Sequence, residues 1–220
     1  MEELINVADT ARRLSPKNPI ALIGHSRGGL VARKFMQERP PDVRAAITIS
    51  TPHRGSRIGA IGKYLKPCST LIKKMLPRDT HTTVSKVIKS VSDLVESGAI
   101  KELLPGSEFL KGLKDVSQKG VRYISFGGTS PRLITFYLWK RAGDKMIPKP
   151  LLSIPDSLVR IFPSFMAADE ITPGKGDGLV AAKSSLHPFA SKHYNLNMNH
   201  LNIIWHPEVI NRTLGILYTI

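Results

Sequence analysis

A serine set between glycines is the feature of this 220-residue sequence best suited to chemistry. Apolar residues lead from Ile20 into the pattern Gly-x-Ser-x-Gly, in which Gly24, Ser26 and Gly28 hold the fixed positions. Such a strand-to-helix turn lifts the serine hydroxyl above a sheet, and residues two before and two after it must lack side chains so that strand and helix pack closely. The helix N-terminus beside the hydroxyl favours developing negative charge. The pattern predicts that Ser26 is a nucleophile for acyl transfer.

The flanking residues predict the elements that must position Ser26. Residues 19–23 form a short apolar run that indicates a buried strand, and a helix follows that ends near Pro40 and Pro41. The apolar face of that helix consists of Leu30, Val31, Ala32, Phe35 and Met36. Before the strand, another amphipathic helix is predicted, with Leu4, Ile5, Val7, Ala8, Ala11 and Leu14 on one face. Because strand, turn and helix occur in this order, the nucleophile is favoured over a chance match.

A serine hydroxyl is a weak nucleophile near neutral pH, so it needs a histidine base and a carboxylate that orients the base. Asp177 lies between two glycines and is the candidate acid, although a turn aspartate that bonds its own backbone is the structural alternative. His200 follows an alternating segment, residues 194–198, and is the candidate base. Spacing alone leaves other histidines as alternatives, namely His53, His187, His193 and His206. His25 adjoins Ser26 in sequence, and we expect its side chain to point away.

Four separated segments resemble the bacterial triacylglycerol lipases and related lipase-like esterases of the α/β-hydrolase superfamily. The segments are residues 24–33, residues 49–56, residues 103–110, and residues 176–180 together with 199–201, in the family's order. The resemblance implies an α/β-hydrolase fold, with a mostly parallel sheet flanked by helices and a helical cap insertion. It also implies that Ser26 is the nucleophile, Asp177 the acid and His200 the base.

The implied reaction is hydrolysis of a carboxylic ester or lipid through an acyl-enzyme. The backbone N–H of Arg27, the residue after the nucleophile, is the predicted first oxyanion-hole donor. In this fold the second donor comes from a loop upstream of the elbow strand, and only eighteen residues precede residue 19. The sequence therefore predicts that this donor and the N-terminal strands of the fold are absent from the chain.

Length and composition agree with one domain. The resemblance implies that residues 1–220 are a single partial α/β-hydrolase domain with a helical cap or lid over residues 56–118. Within that insertion, Val84, Val87, Ile88, Val91, Leu94 and Val95 predict an amphipathic helix, and residues 65–76 predict a second short helix. Ordinary core helices are the alternative. Residues 133–165 contain four prolines at 148, 150, 155 and 163 and predict a second, irregular insertion near the active site.

The charge balance bears on partners, because 32 basic residues against 17 acidic ones give a net charge of +15. The basic residues are spread along the chain without a nucleic-acid-binding signature, so peripheral contact with an anionic membrane surface is favoured over nucleic acid. The single Cys68 excludes an intramolecular disulfide, and Asn202 stands where related lipases carry a calcium-binding aspartate, so no metal or cofactor is predicted. With no apolar run of about 18 residues and an acidic start, the sequence as written predicts a cytoplasmic chain.

Two other functions stay open at this point. Phospholipid or inositol-linked acyl deacylases share the elbow and the Thr-Pro-His pattern of residues 51–53. A function of another class would be a catalytically silent hydrolase fragment that serves as a binding module.

Overall fold

The computed structural model describes residues 2–38, 42–58, 86, 89, 98–114, 116–154 and 168–220. The elements are helix α1 (Glu2–Leu14), strand β1 (Ile20–His25), helix α2 (Arg27–Glu38), strand β2 (Val43–Ile49), helix α3 (Gly98–Glu102), helix α4 (Glu108–Lys111), strand β3 (Arg122–Gly128), strand β4 (Ile134–Ala142), strand β5 (Lys145–Ile154), a 3₁₀ turn (Asp169–Ile171), helix α5 (Ala182–Ser185), strand β6 (Lys192–Leu196), a 3₁₀ turn (Ile203–Trp205) and helix α6 (Pro207–Leu217).

Four parallel strands form the sheet that carries the site, in the order β1-β2-β3-β6. The central strands are apolar and almost wholly buried, as expected for a parallel sheet covered on both faces. Since the carboxyl ends of all four strands lie at the same edge, the loops that follow them meet there. β1 is an edge strand of the described sheet, and its Ile23 is 51% exposed. The strand predicted here is present, but only part of it is buried, because Leu22 is buried and Ile23 faces solvent.

The helices cover the sheet largely as their patterns predict. Leu30 and Phe35 of α2 are completely buried, and Phe35 packs in a cluster with Leu22 of β1 and Val43 of β2. α1 departs from its prediction, because only Ala8 of its apolar face is buried. Val7 and Leu14 are 64% and 80% exposed. An apolar pattern over a helix does not by itself show how much of the face another element covers.

The described part of the predicted cap packs against the helix that follows the serine. Leu103 and Leu113 form a small apolar cluster with Leu30 of α2, and Ser56 N–H donates to the carbonyl of Leu103 (2.7 Å). Residues 65–76 and the apolar residues of the predicted helix over residues 84–95 lie outside the described residues. The cap or lid over residues 56–118 stays a prediction.

Residues 134–154 form an antiparallel hairpin of β4 and β5 rather than the predicted irregular insertion. Pro148 and Pro150 favoured the irregular interpretation, because proline removes a ladder donor. They lie two residues apart on β5, so both missing N–H groups face the same edge of the strand, and the pairing with β4 continues past both prolines.

Over the residues that the structure describes, no helix is both long enough and apolar enough to cross a membrane.

Candidate active site

Ser26 occupies the sharp turn between β1 and α2 in a strained backbone conformation. Its φ of +54° lies in the left-handed region, which a residue with a side chain rarely adopts. The turn is held by the Ser26 N–H, which donates to the carbonyl of Ile49 at the end of β2 (2.9 Å). Gly29 N–H in turn donates to the Ser26 carbonyl (3.1 Å). The strand-turn-helix geometry expected of a nucleophile elbow is thus present.

Close packing at this turn depends on Gly24 and Gly29 rather than on Gly24 and Gly28. A Cβ on Gly24 would lie 2.5 Å from the backbone of Gly29, and a Cβ on Gly29 would lie 2.0 Å from Oγ1 of Thr51. A Cβ on Gly28 would meet nothing within 4 Å. The expectation that Gly28 must lack a side chain is therefore wrong, because the helix turns Gly28 outward and presents the next residue to the loop after β2.

Asp177 and His200 form a buried hydrogen-bonded pair. Nδ1 of His200 lies 2.9 Å from Oδ2 of Asp177, and both side chains are at most 3% exposed. The backbones are also joined, because His200 N–H donates to the Asp177 carbonyl (2.9 Å). The other carboxylate oxygen of Asp177 accepts from the N–H groups of Leu179 (3.0 Å) and Val180 (2.7 Å). The carboxylate is therefore fixed on both sides, and it directs Nδ1–H of His200 inward.

The loops that carry this pair pack tightly on the end of β3. A Cβ on Gly128 would lie 2.6 Å from Cβ of Asp177, so a larger residue there would displace the carboxylate. Gly178, at a φ of +101°, packs against the side chain of Leu133. Asn199 caps the turn at His200, since its Oδ1 accepts from the N–H groups of Leu201 and Asn202.

The side chain of His25 was expected to point away from Ser26, and in the structure it contacts His200. Nε2 of His25 lies 2.9 Å from the carbonyl oxygen of His200, and the two rings are 4.8 Å apart. Burial lowers the pKa of His25, and the neighbouring His200 adds to this effect. A ring nitrogen beside a carbonyl must carry the proton, so Nε2–H of His25 donates. Only the position of His25 next to Ser26 could have indicated this contact from sequence.

Ser26 makes no hydrogen bond to His200 in this structure. Among the described residues, Oγ of Ser26 has no hydrogen-bond partner, although its neighbour His25 contacts the His200 backbone. Catalytic hydrogen bonds in ligand-free enzymes are often long and shorten when substrate binds. The structure thus joins Asp177 to His200 by a hydrogen bond, and the residue before Ser26, His25, contacts the His200 backbone.

Arg27 begins α2, so its backbone N–H is one of the first four amides, which lack a partner within the helix. This N–H belongs to the residue that directly follows Ser26, which is the position expected of an oxyanion-hole donor in this fold. The Arg27 side chain instead pairs with Glu102 of α3 (2.6 Å). The ion pair links the elbow to the described part of the predicted cap.

Two of the alternative histidines, His53 and His187, contact each other and the central strands β2 and β3. His53 is buried, its Nε2 lies 3.0 Å from Oγ1 of Thr48, and its ring packs edge-on against His187. His187 also stacks on Tyr123. Burial holds the pKa of His53 well below its usual range, and the nearby His187 and Arg33 lower it further. These contacts are those of core histidines.

The remaining alternatives also have local structural contacts. His193 bonds Ser125 and Asn195 through its two ring nitrogens, and His206 accepts the N–H of Glu208 at the start of α6. In the described part of the chain, no group of three or more potential ligand residues is arranged to hold a metal.

Comparisons with known proteins agree with this architecture. Residues 1–99 match the sequence model of the Hydrolase_4 family, described as serine aminopeptidase, S33. A comparison with curated proteins found no similar sequence. Among solved structures, the lipase BlEst2 of Bacillus licheniformis in its mature form superposes with a TM-score of 0.54 at 14% identity, over 97% of this chain and 70% of that one. Its propeptide form gives a TM-score of 0.54 at 15% identity over 97% and 38%.

The chain has the α/β-hydrolase fold, with a parallel sheet flanked by helices and a serine at the strand-to-helix turn. The predicted α/β-hydrolase fold is thereby confirmed. The chain spans less than two fifths of the length of the propeptide form that it matches.

Proposed function

We propose that this protein is a serine hydrolase that cleaves carboxylic esters, of the lipase or esterase type, through Ser26, His200 and Asp177. The observation that carries the proposal is the combination of a strained serine at the elbow with a buried Asp177–His200 pair at the same edge of the sheet. Strain at a non-glycine residue persists only where the surrounding structure enforces it, and such residues cluster at active sites.

In the proposed reaction, Nε2 of His200 takes the proton of Ser26 as the hydroxyl oxygen attacks the ester carbonyl. Asp177 holds Nδ1–H of His200 and stabilises the imidazolium that forms. The imidazolium then returns the proton to the leaving alcohol, and an acyl-enzyme remains. Water, deprotonated by His200, attacks the acyl group and releases the carboxylic acid, which restores the Ser26 hydroxyl.

The negative charge on the tetrahedral intermediate needs donors that are already in place. The backbone N–H of Arg27 is the proposed first donor, since α2 leaves it without an intrahelical partner. Because the donor belongs to the main chain, the side chain at this position is free to pair with Glu102.

We further propose that residues 1–220 form a single, partial α/β-hydrolase domain and that residues 56–118 form a helical cap or lid within it. The described contacts that support this are the apolar cluster of Leu30, Leu103 and Leu113 and the Arg27–Glu102 ion pair. Both join the helix after Ser26 to the C-terminal part of the segment.

Labelling with a fluorophosphonate probe tests the proposed nucleophile. We expect the 220-residue chain to be labelled and Ser26→Ala to lose the label, because the probe reacts only with an activated serine. Ser50→Ala is the matched control, since Ser50 also has a positive φ (47°) but is fully buried. It should keep the label. A folded wild-type chain that stays unlabelled would contradict the proposal and favour the catalytically silent alternative.

A further inference from the structure

One face of the β4–β5 hairpin exposes large aromatic and apolar side chains to solvent. Tyr137, Trp139 and Met146 are 57%, 65% and 56% exposed. The register pairs Tyr137 with Pro150, Trp139 with Pro148, and Arg141 with Met146, and paired residues share a face of the ribbon. These six residues, which we call the aromatic face, form an uncovered apolar surface with one cation.

Basic residues lie on both faces of the same hairpin: Arg141 belongs to the aromatic face, and the register places the three lysines on the opposite face of the ribbon. Residues 134–154 contain four basic side chains and a single acidic one, Asp144 in the turn. The basic residues are Lys140, Arg141, Lys145 and Lys149, and all four are exposed. Within the described part of the chain, none of them forms an ion pair. The hairpin therefore offers amphipathic aromatic rings and unneutralised positive charge together.

The base of the hairpin is attached to the loops of the candidate active site. Just before β4, the carbonyl of Arg132 accepts a hydrogen bond from Nδ2 of Asn199 (2.8 Å), the residue that caps the His200 turn. Leu133 packs against Gly178, next to Asp177. The base of the hairpin is thus joined to the loops that carry the Asp177–His200 pair.

We propose that the aromatic face docks the protein on the headgroup region of an anionic phospholipid bilayer, and that the basic residues on both faces of this thin ribbon add electrostatic attraction to the lipid surface. Trp and Tyr rings settle at the boundary between headgroups and acyl chains, and basic residues near the surface are attracted to anionic lipids. The inference rests on the proposed function in one respect: the docked bilayer is also the source of the ester.

The charge of the chain argues against the other occupants. A second copy would bring a further charge of +15 against the same basic surface. A nucleic acid would satisfy the cations, but it would leave Met146 and the two prolines without apolar partners. An anionic bilayer provides both negative headgroups and an apolar interior.

Sedimentation with vesicles tests the docking surface. Vesicles of equal parts phosphatidylcholine and phosphatidylglycerol should bind the 220-residue chain, and pure phosphatidylcholine vesicles should bind it much more weakly. Trp139→Ala and the pair Lys140→Glu with Lys149→Glu should each weaken binding to the anionic vesicles about tenfold or more. Matched controls are Tyr218→Ala, an aromatic residue that is 85% exposed, and the exposed pair Lys17→Glu with Lys119→Glu. The controls should keep at least half of the binding.

Fluorescence quenching gives a second measurement without altering the hairpin. Trp139 and Trp205 are the only tryptophans, so Trp205→Phe leaves one reporter. Brominated phosphatidylcholine mixed with phosphatidylglycerol should quench Trp139 on binding.

Several results would overturn the docking proposal. They are an absence of binding to anionic vesicles, equal loss in the hairpin and control variants, and an unquenched Trp139 in bound protein. If the wild-type chain forms a dimer and Trp139→Ala does not, the aromatic face is a contact between two copies. If the wild-type chain binds a single-stranded oligonucleotide and Trp139→Ala does not, the aromatic face binds nucleic acid. Turnover of a short-chain nitrophenyl ester separates the two proposals: hairpin variants should keep it, whereas Ser26→Ala should lose it while still binding vesicles.

Discussion

His25 and His200 are in contact through both backbone and ring: Nε2–H of His25 donates to the His200 carbonyl at 2.9 Å, and the rings lie 4.8 Å apart. The residue before the proposed nucleophile thus holds the residue proposed as its base. This contact couples β1 to the loop after β6, although β2 and β3 separate the two strands in the sheet.

Loss of the His25 contact should impair catalysis more than stability. His25→Phe keeps a ring against His200 but removes the donor, so the backbone of the base loses one constraint. We expect kcat for a soluble ester to fall about tenfold, since small misplacement of catalytic groups is costly. Steady-state kinetics alongside thermal unfolding would check this. A kcat equal to that of the wild type would show that the contact is incidental.

Asp177→Asn should leave a folded protein with very low activity. The amide cannot accept two backbone N–H groups and also hold Nδ1–H of His200 in the way the carboxylate does. We expect kcat to fall about 10⁴-fold, as for the corresponding change in serine proteases of unrelated fold. Asp169→Asn is the matched control, because Asp169 pairs with the exposed Lys183 instead, and it should stay within a few-fold of wild type. Equal kcat values for the two variants would remove Asp177 from the mechanism.

The glycines of the elbow should respond oppositely to alanine. Gly24→Ala places a Cβ 2.5 Å from the backbone of Gly29, which no side-chain rotation relieves, so we expect a loss of about 3 kcal/mol in the free energy of unfolding. Gly28→Ala enters open space within α2 and should be neutral or stabilise by up to about 1 kcal/mol. Urea unfolding of both variants measures the difference. Similar losses in the two would contradict the packing described at the turn.

The Arg27 side chain should be dispensable for chemistry. Its ion pair with Glu102 joins two half-exposed groups, so Arg27→Ala should cost less than about 1 kcal/mol in unfolding free energy. The proposed oxyanion donor is the backbone N–H, which alanine retains, and fluorophosphonate labelling should persist. Glu102→Ala should match it. A loss of labelling in Arg27→Ala alone would show that the guanidinium itself acts on the substrate.

Stability should decline in mild acid because of His53. Burial keeps the pKa of the folded-state ring well below the usual 6.5, so between those values the unfolded chain binds a proton that the folded chain does not. The free energy of unfolding therefore falls as the pH drops below about 6.5, by up to about 1.4 kcal/mol per pH unit for one proton. Urea unfolding across a pH series should show a shallower slope for His53→Gln. An unchanged slope would place the acid sensitivity elsewhere.

Sequence patterns predicted the parts of this structure that depend on local order. The apolar run before Ser26, the Gly-x-Ser-x-Gly turn and the buried face of α2 each follow from short-range rules, and the structure has them. The resemblance to lipases predicted that Asp177 and His200 form a pair, and they do so although they lie 23 residues apart in sequence. Their catalytic roles stay predictions.

The features that the sequence did not predict depend on contacts between distant segments. Gly29 rather than Gly28 is the tightly packed glycine, because Thr51 lies against it. The exposure of Val7 and Leu14 depends on what lies over α1. The β4–β5 pairing was not predicted because β5 contains two prolines. A ladder tolerates prolines according to their spacing along the strand rather than their number.

The strand order determines when the candidate site can form during folding. β6 pairs only with β3 in the described sheet, and β3 must first find β2 across more than seventy residues of chain. Pairing of strands so far apart in sequence is slow, because the chain loses the entropy of loop closure before the stabilising contacts between the strands have formed. His200 reaches Asp177 only after β6 is in register, so enzymatic activity should return later in refolding than the helical signal of α1 and α2.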